Sequence, residues 1–161
     1  MRHLITKFIN FGKSKNLLIS SENCQFTFDH PWFNGEFDWV ASDSKGKVAI
    51  FSTAGKGPIP VNVSEDGEFL EEIIETIRQL PACCKAIQVS DCGHCTDWLE
   101  VSKRGFFGFD WDYRRKGYRL ISLPESPIKL ENIKVNEIQK VARKTVLPID
   151  FLKVKRTNRL A

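Results

Sequence analysis

Two apolar segments separated by a short polar loop are the feature that most constrains the fold of this chain. Residues 37–41 and 47–52 are rich in aromatic and β-branched side chains, and they flank the sequence Asp43-Ser-Lys-Gly46. Such segments favour β-strands. Gly46 can take the positive φ that a short hairpin loop often requires. We therefore predict an antiparallel β-hairpin at this point of the chain.

The remaining segments predict further strands and several helices. Strand-like patterns occur at residues 106–112 and 118–123. Apolar residues at helical spacing predict helices at residues 64–80, 96–104 and 135–146. Pro81 ends the first of these helices, and Gly105 suits the position after the second. Together these elements predict an α+β fold, with a small, mostly antiparallel sheet and helices packed on one side.

Length and composition predict one soluble domain. The chain has 161 residues, of which 42% are apolar and 27% are charged, as in ordinary globular proteins. We expect a single domain over residues 1–154 and a frayed basic tail over residues 155–161. No apolar run approaches the roughly 20 residues that span a bilayer, and the first residues lack the apolar core of a secretory signal. We therefore expect no membrane association and a cytoplasmic location.

The net charge of +4 is unevenly distributed. Residues 1–128 contain 15 Lys and Arg against 17 Asp and Glu, whereas residues 129–161 contain 9 against 3. The body of the chain is therefore slightly acidic, which disfavours binding to nucleic acid along a whole face. A nucleic-acid-binding module remains an alternative through the run Arg114-Arg-Lys116 and the basic C-terminal region.

Four cysteines are concentrated between Cys83 and Cys95, and His94 lies inside the pair Cys92-x-x-Cys95. A zinc site from Cys83, Cys92 and Cys95 is one alternative, although the adjacent Cys83-Cys84 can rarely supply two ligands. A redox role needs Cys-x-x-Cys between a strand and a helix, and the sequence does not indicate the surrounding βαβ pattern. We expect reduced thiols in a cytoplasmic protein and no cofactor.

The acidic residues beside aromatic side chains are the other candidates for function. Asp110 and Asp112 flank Trp111, and residues two apart in a strand share a face. A carboxylate-dependent or zinc-dependent hydrolase is therefore an alternative, but the sequence contains no recognisable nucleophile motif. We do not expect an enzyme. Carboxylates beside aromatic rings instead suit an interface with a partner protein.

Two stretches of the sequence together resemble a known group of proteins. The first runs from Phe37 to Pro60 and contains Thr53-Ala-Gly-x-Gly-Pro58. The second runs from Arg104 to Ile128 and contains Phe109-Asp-Trp-Asp112. They resemble small bacterial immunity proteins of polymorphic toxins, including those of contact-dependent growth inhibition and Rhs-type systems. The resemblance covers under half of the chain.

This resemblance implies a non-enzymatic inhibitor that binds its cognate toxin domain in the cytoplasm of the producing cell and occludes the active site. It also implies that the shared motif residues belong to the scaffold rather than to the interface, and that Gly46, Gly55, Gly57 and Pro58 set the backbone shape. If the toxin is a nuclease, its groove is basic and acidic side chains should meet it. The acidic candidates are Asp29, Glu36, Asp38, Asp43, Asp110 and Asp112.

Overall fold

Three helices and eight strands make up the described residues, which are 25–63 and 67–154 of this computed structural model. In chain order the elements are β1 (Phe26–Thr27), β2 (Asp38–Asp43), β3 (Val48–Ser52), β4 (Ile59–Pro60), α1 (Gly67–Gln79), β5 (Ala86–Gln88), α2 (Thr96–Lys103), β6 (Phe107–Asp112), β7 (Gly117–Pro124), α3 (Asn136–Lys144) and β8 (Val146–Leu147). One short 3-10 turn lies between β7 and α3 at Leu130–Asn132, and another follows β8 at Phe151–Lys153. The predicted α+β class is confirmed.

Six strands form one mixed sheet in the order β5-β7-β6-β3-β2-β8. The predicted hairpin is present as β2 and β3, and Gly46 in its loop has a φ of 79°. The pairs β5–β7 and β6–β7 are also antiparallel, whereas β3–β6 and β2–β8 are parallel. The sheet therefore has three antiparallel and two parallel pairings. β1 and β4 form a separate antiparallel pair.

A parallel βαβ unit emerges from this topology. Since β5 and β6 both run antiparallel to β7, which lies between them, they run parallel to each other. The chain connects them through α2, as parallel strands require a crossover connection. This unit corrects the expectation that Cys92 and Cys95 lack a βαβ context. The sequence does not predict the βαβ unit because β5 has only three residues, too few to show a strand pattern.

The helix predicted at residues 135–146 is shorter in the structure. α3 ends at Lys144, and Val146 begins β8 beside β2. The backbone N–H of Ser42 donates to the carbonyl of Thr145, and the Asn62 side chain donates to the carbonyl of Lys144. These tertiary hydrogen bonds replace the next helical turn. The predicted beginning of the first helix, at residues 64–66, and the predicted tail at 155–161 lie outside the described residues.

One face of the sheet carries a stack of aromatic rings. Trp39, Phe51 and Phe109 lie opposite one another in β2, β3 and β6, with ring centroids 4.1 and 4.7 Å apart. The Trp39 indole donates a hydrogen bond to the Tyr118 hydroxyl, which donates to the carbonyl of Pro58 at 2.8 Å. All four aromatic side chains are almost completely buried. These four rings belong to the hydrophobic core of the protein.

The motif loop after β3 packs directly on this aromatic face. A Cβ atom at Gly57 would lie 2.8 Å from the Tyr118 hydroxyl and 3.1 Å from the Cα of Thr53. Gly55 in the same loop has a φ of 78°, which an L side chain rarely adopts. These two glycines therefore shape the scaffold, as the sequence predicts.

The other face of the sheet contacts the helices. Arg78 of α1 forms an ion pair with Asp38 of β2, and the Ser42 hydroxyl donates to the carbonyl of Ala142 in α3. The Trp98 ring of α2 lies against Gly108 of β6, where a Cβ atom would be 2.6 Å from it. Each helix thus has a contact with the face opposite the aromatic stack.

Candidate binding cavity

A row of polar side chains crosses four neighbouring strands on the helix-facing side of the sheet. Asp38 of β2 is opposite Ser52 of β3, which is opposite Asp110 of β6. Asp110 is in turn opposite Arg119 of β7. Residues directly opposite in a sheet share a face, so the strand register brings these four side chains side by side.

An open cavity of about 230 Å³ lies over this row. Glu36, Asp38, Asp97 and Asp110 contribute four carboxyl groups to its lining, and we call it the acidic cavity. Arg78 of α1 supplies a positive charge to the same lining. The lining therefore contains four carboxyl groups and one guanidinium group, and its charge at pH 7 is negative.

Asp110 is the most strongly perturbed carboxyl group of the acidic cavity. Burial raises its pKa from 3.8 to about 6. The positive charge of Arg119 opposes this shift, whereas the negative charges of Asp38 and Glu36 add to it. Because burial and neighbouring carboxylates both disfavour ionisation, Asp110 titrates close to neutral pH.

Asp38 shares this environment. Burial raises its pKa, and the charges of Glu36 and Asp97 raise it further, while a hydrogen bond from Ser52 and the charge of Arg78 lower it. An Arg78 guanidinium nitrogen lies 3.3 Å from an Asp38 oxygen. Since 46% of the Arg78 side chain is exposed, this ion pair is only partly shielded from solvent.

α2 forms one wall of the acidic cavity and is fixed to the sheet by buried hydroxyl groups. The hydroxyls of Ser102 and Ser122 lie 2.7 Å apart, and the Ser122 hydroxyl is 2.8 Å from the carbonyl of Trp98. The absence of a side chain at Gly108 allows the Trp98 ring to approach the sheet. These contacts hold Asp97, in the first turn of α2, at the cavity.

Asp43, one of the predicted interface residues, has a structural role instead. Its side chain is completely buried and accepts hydrogen bonds from the backbone N–H groups of Lys45, Lys47 and Phe151, each at 2.9 Å. It also forms an ion pair with the Lys47 ammonium group at 3.3 Å. The structure therefore corrects its assignment as a surface candidate, because its carboxylate joins the hairpin loop to the C-terminal 3-10 turn.

Asp29 and Asp112 lie outside the acidic cavity. Asp29 is exposed. Asp112 accepts hydrogen bonds from the backbone N–H groups of Arg114 and Arg115 and from the Arg115 guanidinium at 2.9 Å. Partial burial alone would raise the pKa of Asp112, but these interactions with Arg115 lower it overall. The basic run of the β6–β7 loop is thus partly neutralised within its own turn.

The cysteines are arranged differently from either sequence expectation. Cys92 and Cys95 form a disulfide with a Cα–Cα distance of 5.6 Å, which corrects the expectation of free thiols at these positions. The backbone N–H of Cys83 instead donates to the carbonyl of Lys103, at the opposite end of α2. The three cysteines of the zinc alternative, Cys83, Cys92 and Cys95, are therefore not brought together in the structure. Within residues 25–63 and 67–154, no group of three or more His, Cys, Asp or Glu side chains could hold a metal ion.

Three of the six predicted acidic residues, Glu36, Asp38 and Asp110, come together in the acidic cavity. Sequence reasoning missed Asp97, and it also missed Arg78 as the cation of the cavity. Helical periodicity predicts that both residues lie on helices. Whether their side chains lie beside the carboxylates of the sheet depends on how those helices pack. The parallel pairing of β3 with β6, which aligns Ser52 with Asp110, has no local signal in the sequence.

The acidic cavity is suited chemically to a cationic group, which would interact favourably with several partly desolvated carboxylates. None of the helices in the described part of the chain is long and apolar enough to cross a membrane. No protein-family model, curated protein or solved structure matches this chain.

Proposed function

We propose that this protein is an immunity protein that binds a cognate bacterial toxin domain and occludes its active site. The observation that carries the proposal is the acidic cavity, in which Asp38 and Asp110 are held together with raised pKa values. The toxin would insert a Lys or Arg side chain into this cavity. Such a protein would act in the cytoplasm of the cell that produces the toxin.

The electrostatics of the cavity support a basic partner. Burial of the carboxylates and repulsion between them lower the folding stability of the protein without a partner. Groups with pKa values perturbed in this way cluster at functional sites. An incoming cation would relieve the repulsion. Arg78, whose ion pair with Asp38 is partly exposed, can move toward solvent when a partner's cation approaches. Charge complementarity of this kind also accelerates association.

The resemblance in sequence supports the same proposal through the scaffold. The motif loop that contains Gly57 and Pro58 packs on Tyr118, on the aromatic face of the sheet. The acidic cavity lies on the other face. The same motif stretches also supply Asp38 and Asp110 to the cavity, so the proposed binding site uses positions within the resemblance.

The test uses the toxin domain encoded beside this gene in the producing genome. Wild-type protein should protect cells that express this toxin and should bind it in isothermal titration calorimetry. The variant Glu36→Gln/Asp38→Asn/Asp110→Asn should lose at least about tenfold in affinity, since removing one side of a buried charge pair costs roughly 2–5 kcal/mol. The triple variant should also protect the cells less well.

The matched control is Glu125→Gln/Glu131→Gln, which removes exposed negative charges away from the cavity. It should bind the toxin as tightly as wild type. If wild type neither binds the toxin nor protects the cells, the immunity proposal fails. If binding occurs but the triple variant and the control behave alike, the cavity is not the interface.

A carboxylate-dependent hydrolase is the second candidate, favoured by the pKa of Asp110 near 6. General acids act best when their pKa is close to the working pH, and Asp38 supplies a second carboxylate in the same cavity. The negative charge of the cavity would favour neutral esters or glycosides over phosphodiesters. Turnover of a chromogenic ester or glycoside that disappears in Asp110→Asn would support this alternative.

A further inference from the structure

We propose that Cys92 and Cys95 form a reversible redox site that exchanges disulfides with small thiols such as glutathione. The two cysteines are bonded to each other in the loop between β5 and α2. This loop lies inside the parallel βαβ unit formed by β5, α2 and β6. A Cys-x-x-Cys pair between a strand and a helix start is the arrangement used for thiol–disulfide exchange. The inference does not depend on the proposed immunity function.

The helix that follows the pair makes the two sulfur atoms unequal. Cys95 is the N-cap residue of α2, and its carbonyl accepts the first helical hydrogen bond, from the N–H of Leu99 at 3.0 Å. In the described residues no side chain caps this end of α2. The positive end of the helix dipole favours a thiolate at Cys95. Two groups oppose it, namely Asp97 in the first turn of α2 and the Ser90 carbonyl, which lies 3.9 Å from the Cys95 sulfur.

Cys92 lies in a different electrostatic environment. It lines the acidic cavity together with Asp97 and Asp110, and nearby carboxylates disfavour a second negative charge. When the pair is reduced, Cys95 is thus the better nucleophile and Cys92 the resolving thiol. Both side chains are partly exposed, so a small thiol or disulfide can reach them.

The backbone between the cysteines holds the sulfurs within reach of each other. The N–H of His94 donates to the carbonyl of Cys92 at 2.6 Å, which closes a tight turn. Gly93 adopts a φ of 65° inside this turn, with open space around it. Since this geometry comes from backbone hydrogen bonding, the turn can persist after the disulfide is reduced.

The exchange balances in two steps. The Cys95 thiolate attacks one sulfur of glutathione disulfide, which forms a mixed disulfide and releases one glutathione thiolate. Cys92 then loses its proton and attacks the Cys95 sulfur, which forms the Cys92–Cys95 bond and releases the second glutathione. The protein dithiol gives up two electrons and glutathione disulfide accepts them. An excess of glutathione reverses both steps.

The test measures the oxidation state of the pair in the full wild-type chain. The protein is equilibrated in glutathione buffers of graded ratio, quenched in acid, labelled with a maleimide and digested with trypsin. Cleavage after Arg78, Lys85 and Lys103 separates residues 79–85, which contain Cys83 and Cys84, from residues 86–103, which contain Cys92 and Cys95. Peptide 79–85, which carries the free thiols of Cys83 and Cys84, then shows whether the exchange is selective for Cys92 and Cys95.

Both thiols of peptide 86–103 should be lost together across the buffer series and should be recovered when the reducing buffer is restored. A pair that stays fully labelled in the most oxidising buffer would overturn the proposal. So would a pair that stays bonded in the most reducing buffer, because the disulfide would then be purely structural.

Single-cysteine variants test which sulfur attacks. In Cys92→Ser, Cys95 should form the mixed disulfide with glutathione about tenfold faster than Cys92 does in Cys95→Ser, because only Cys95 lies at the helix end. The mass of tryptic peptide 86–103 from samples quenched over time gives the two rates, because this peptide excludes Cys83 and Cys84. Equal rates, or a faster reaction at Cys92, would overturn the assignment of Cys95 as the nucleophile.

Discussion

Asp38 and Asp110 lie on the same face of the sheet with Ser52 between them, because Ser52 is opposite Asp38 in β2 and opposite Asp110 in β6. Strands in a sheet are about 4.8 Å apart, so the two acidic residues are about 10 Å apart along the sheet. Burial raises the pKa of both carboxyls, and the charge of Asp38 raises that of Asp110 further. The protonation of Asp110 should therefore affect how the stability of the fold depends on pH.

Replacing Asp110 with Asn should change how stability depends on pH. The pKa of Asp110 is about 6 in the folded protein against 3.8 for an unperturbed Asp. The folded state therefore binds more protons than the unfolded state between these values, and the wild-type free energy of unfolding should fall as pH rises through this window. At ~1.4 kcal/mol per pKa unit, a shift of about two units corresponds to a fall of roughly 3 kcal/mol. Solvent screening of this partly exposed group reduces the expected fall to about 1 kcal/mol.

Urea denaturation followed by circular dichroism at pH 4, 5, 6 and 8 measures this effect. The free energy of unfolding of Asp110→Asn should not show this fall. It should therefore increase relative to that of wild type as pH rises. Glu125→Gln, which changes an exposed carboxyl, should follow the wild-type curve. Parallel curves for wild type and Asp110→Asn would mean that Asp110 titrates normally.

Asp43→Ala should destabilise the fold by about 3–5 kcal/mol, the range for breaking a buried ion pair. The substitution leaves Lys47 without one of its two carboxylate partners and removes the acceptor for the Phe151 backbone N–H. Thermal denaturation monitored by circular dichroism measures the loss. Asp29→Ala, at an exposed position, is the matched control and should change stability by less than about 0.5 kcal/mol.

Tyr118→Phe should destabilise the fold by about 1–3 kcal/mol without changing its shape. The substitution removes the hydroxyl that accepts from the Trp39 indole and donates to the Pro58 carbonyl, and both groups would remain buried without this partner. Urea denaturation followed by tryptophan fluorescence measures the change. Tyr113→Phe, at an exposed tyrosine, should be neutral; equal stability of Tyr118→Phe and wild type would show that neither hydrogen bond contributes.

Gly108→Ala should disturb the wall of the acidic cavity. A Cβ atom at this position would lie 2.6 Å from the Trp98 ring and 2.9 Å from the Ser122 hydroxyl, so α2 must move or the core must repack, at a cost of about 1–3 kcal/mol. The melting temperature measures the stability, and near-ultraviolet circular dichroism reports the environment of Trp98. An unchanged near-ultraviolet spectrum would contradict the close packing of Trp98 on β6.

Local patterns predicted most of the secondary structure of this chain. The hairpin around Gly46, the helix that contains Ile73 and Ile77, and the strands on either side of the loop at residues 113–116 all follow from side-chain periodicity and turn residues. These signals are contained within a few neighbouring residues. The α+β class follows from their sum.

The short elements at the edges of the sheets could not be predicted in the same way. β4, β5 and β8 have two or three residues each, too few to show a period. β8 forms because the Asn62 side chain and the backbone of Ser42 take up hydrogen bonds at the end of α3. These partners are distant in sequence.

The sequence by itself determined the longer helices and strands, the slightly acidic body of the chain and the motif glycines that shape the loop after β3. Only the tertiary structure decided which acidic residues act together. Strand register and helix packing placed Asp38, Asp97 and Asp110 in one cavity, while Asp43 became a buried structural carboxylate. The physical reason is that a carboxylate's role depends on its burial and on its neighbouring charges, which contacts between distant segments create.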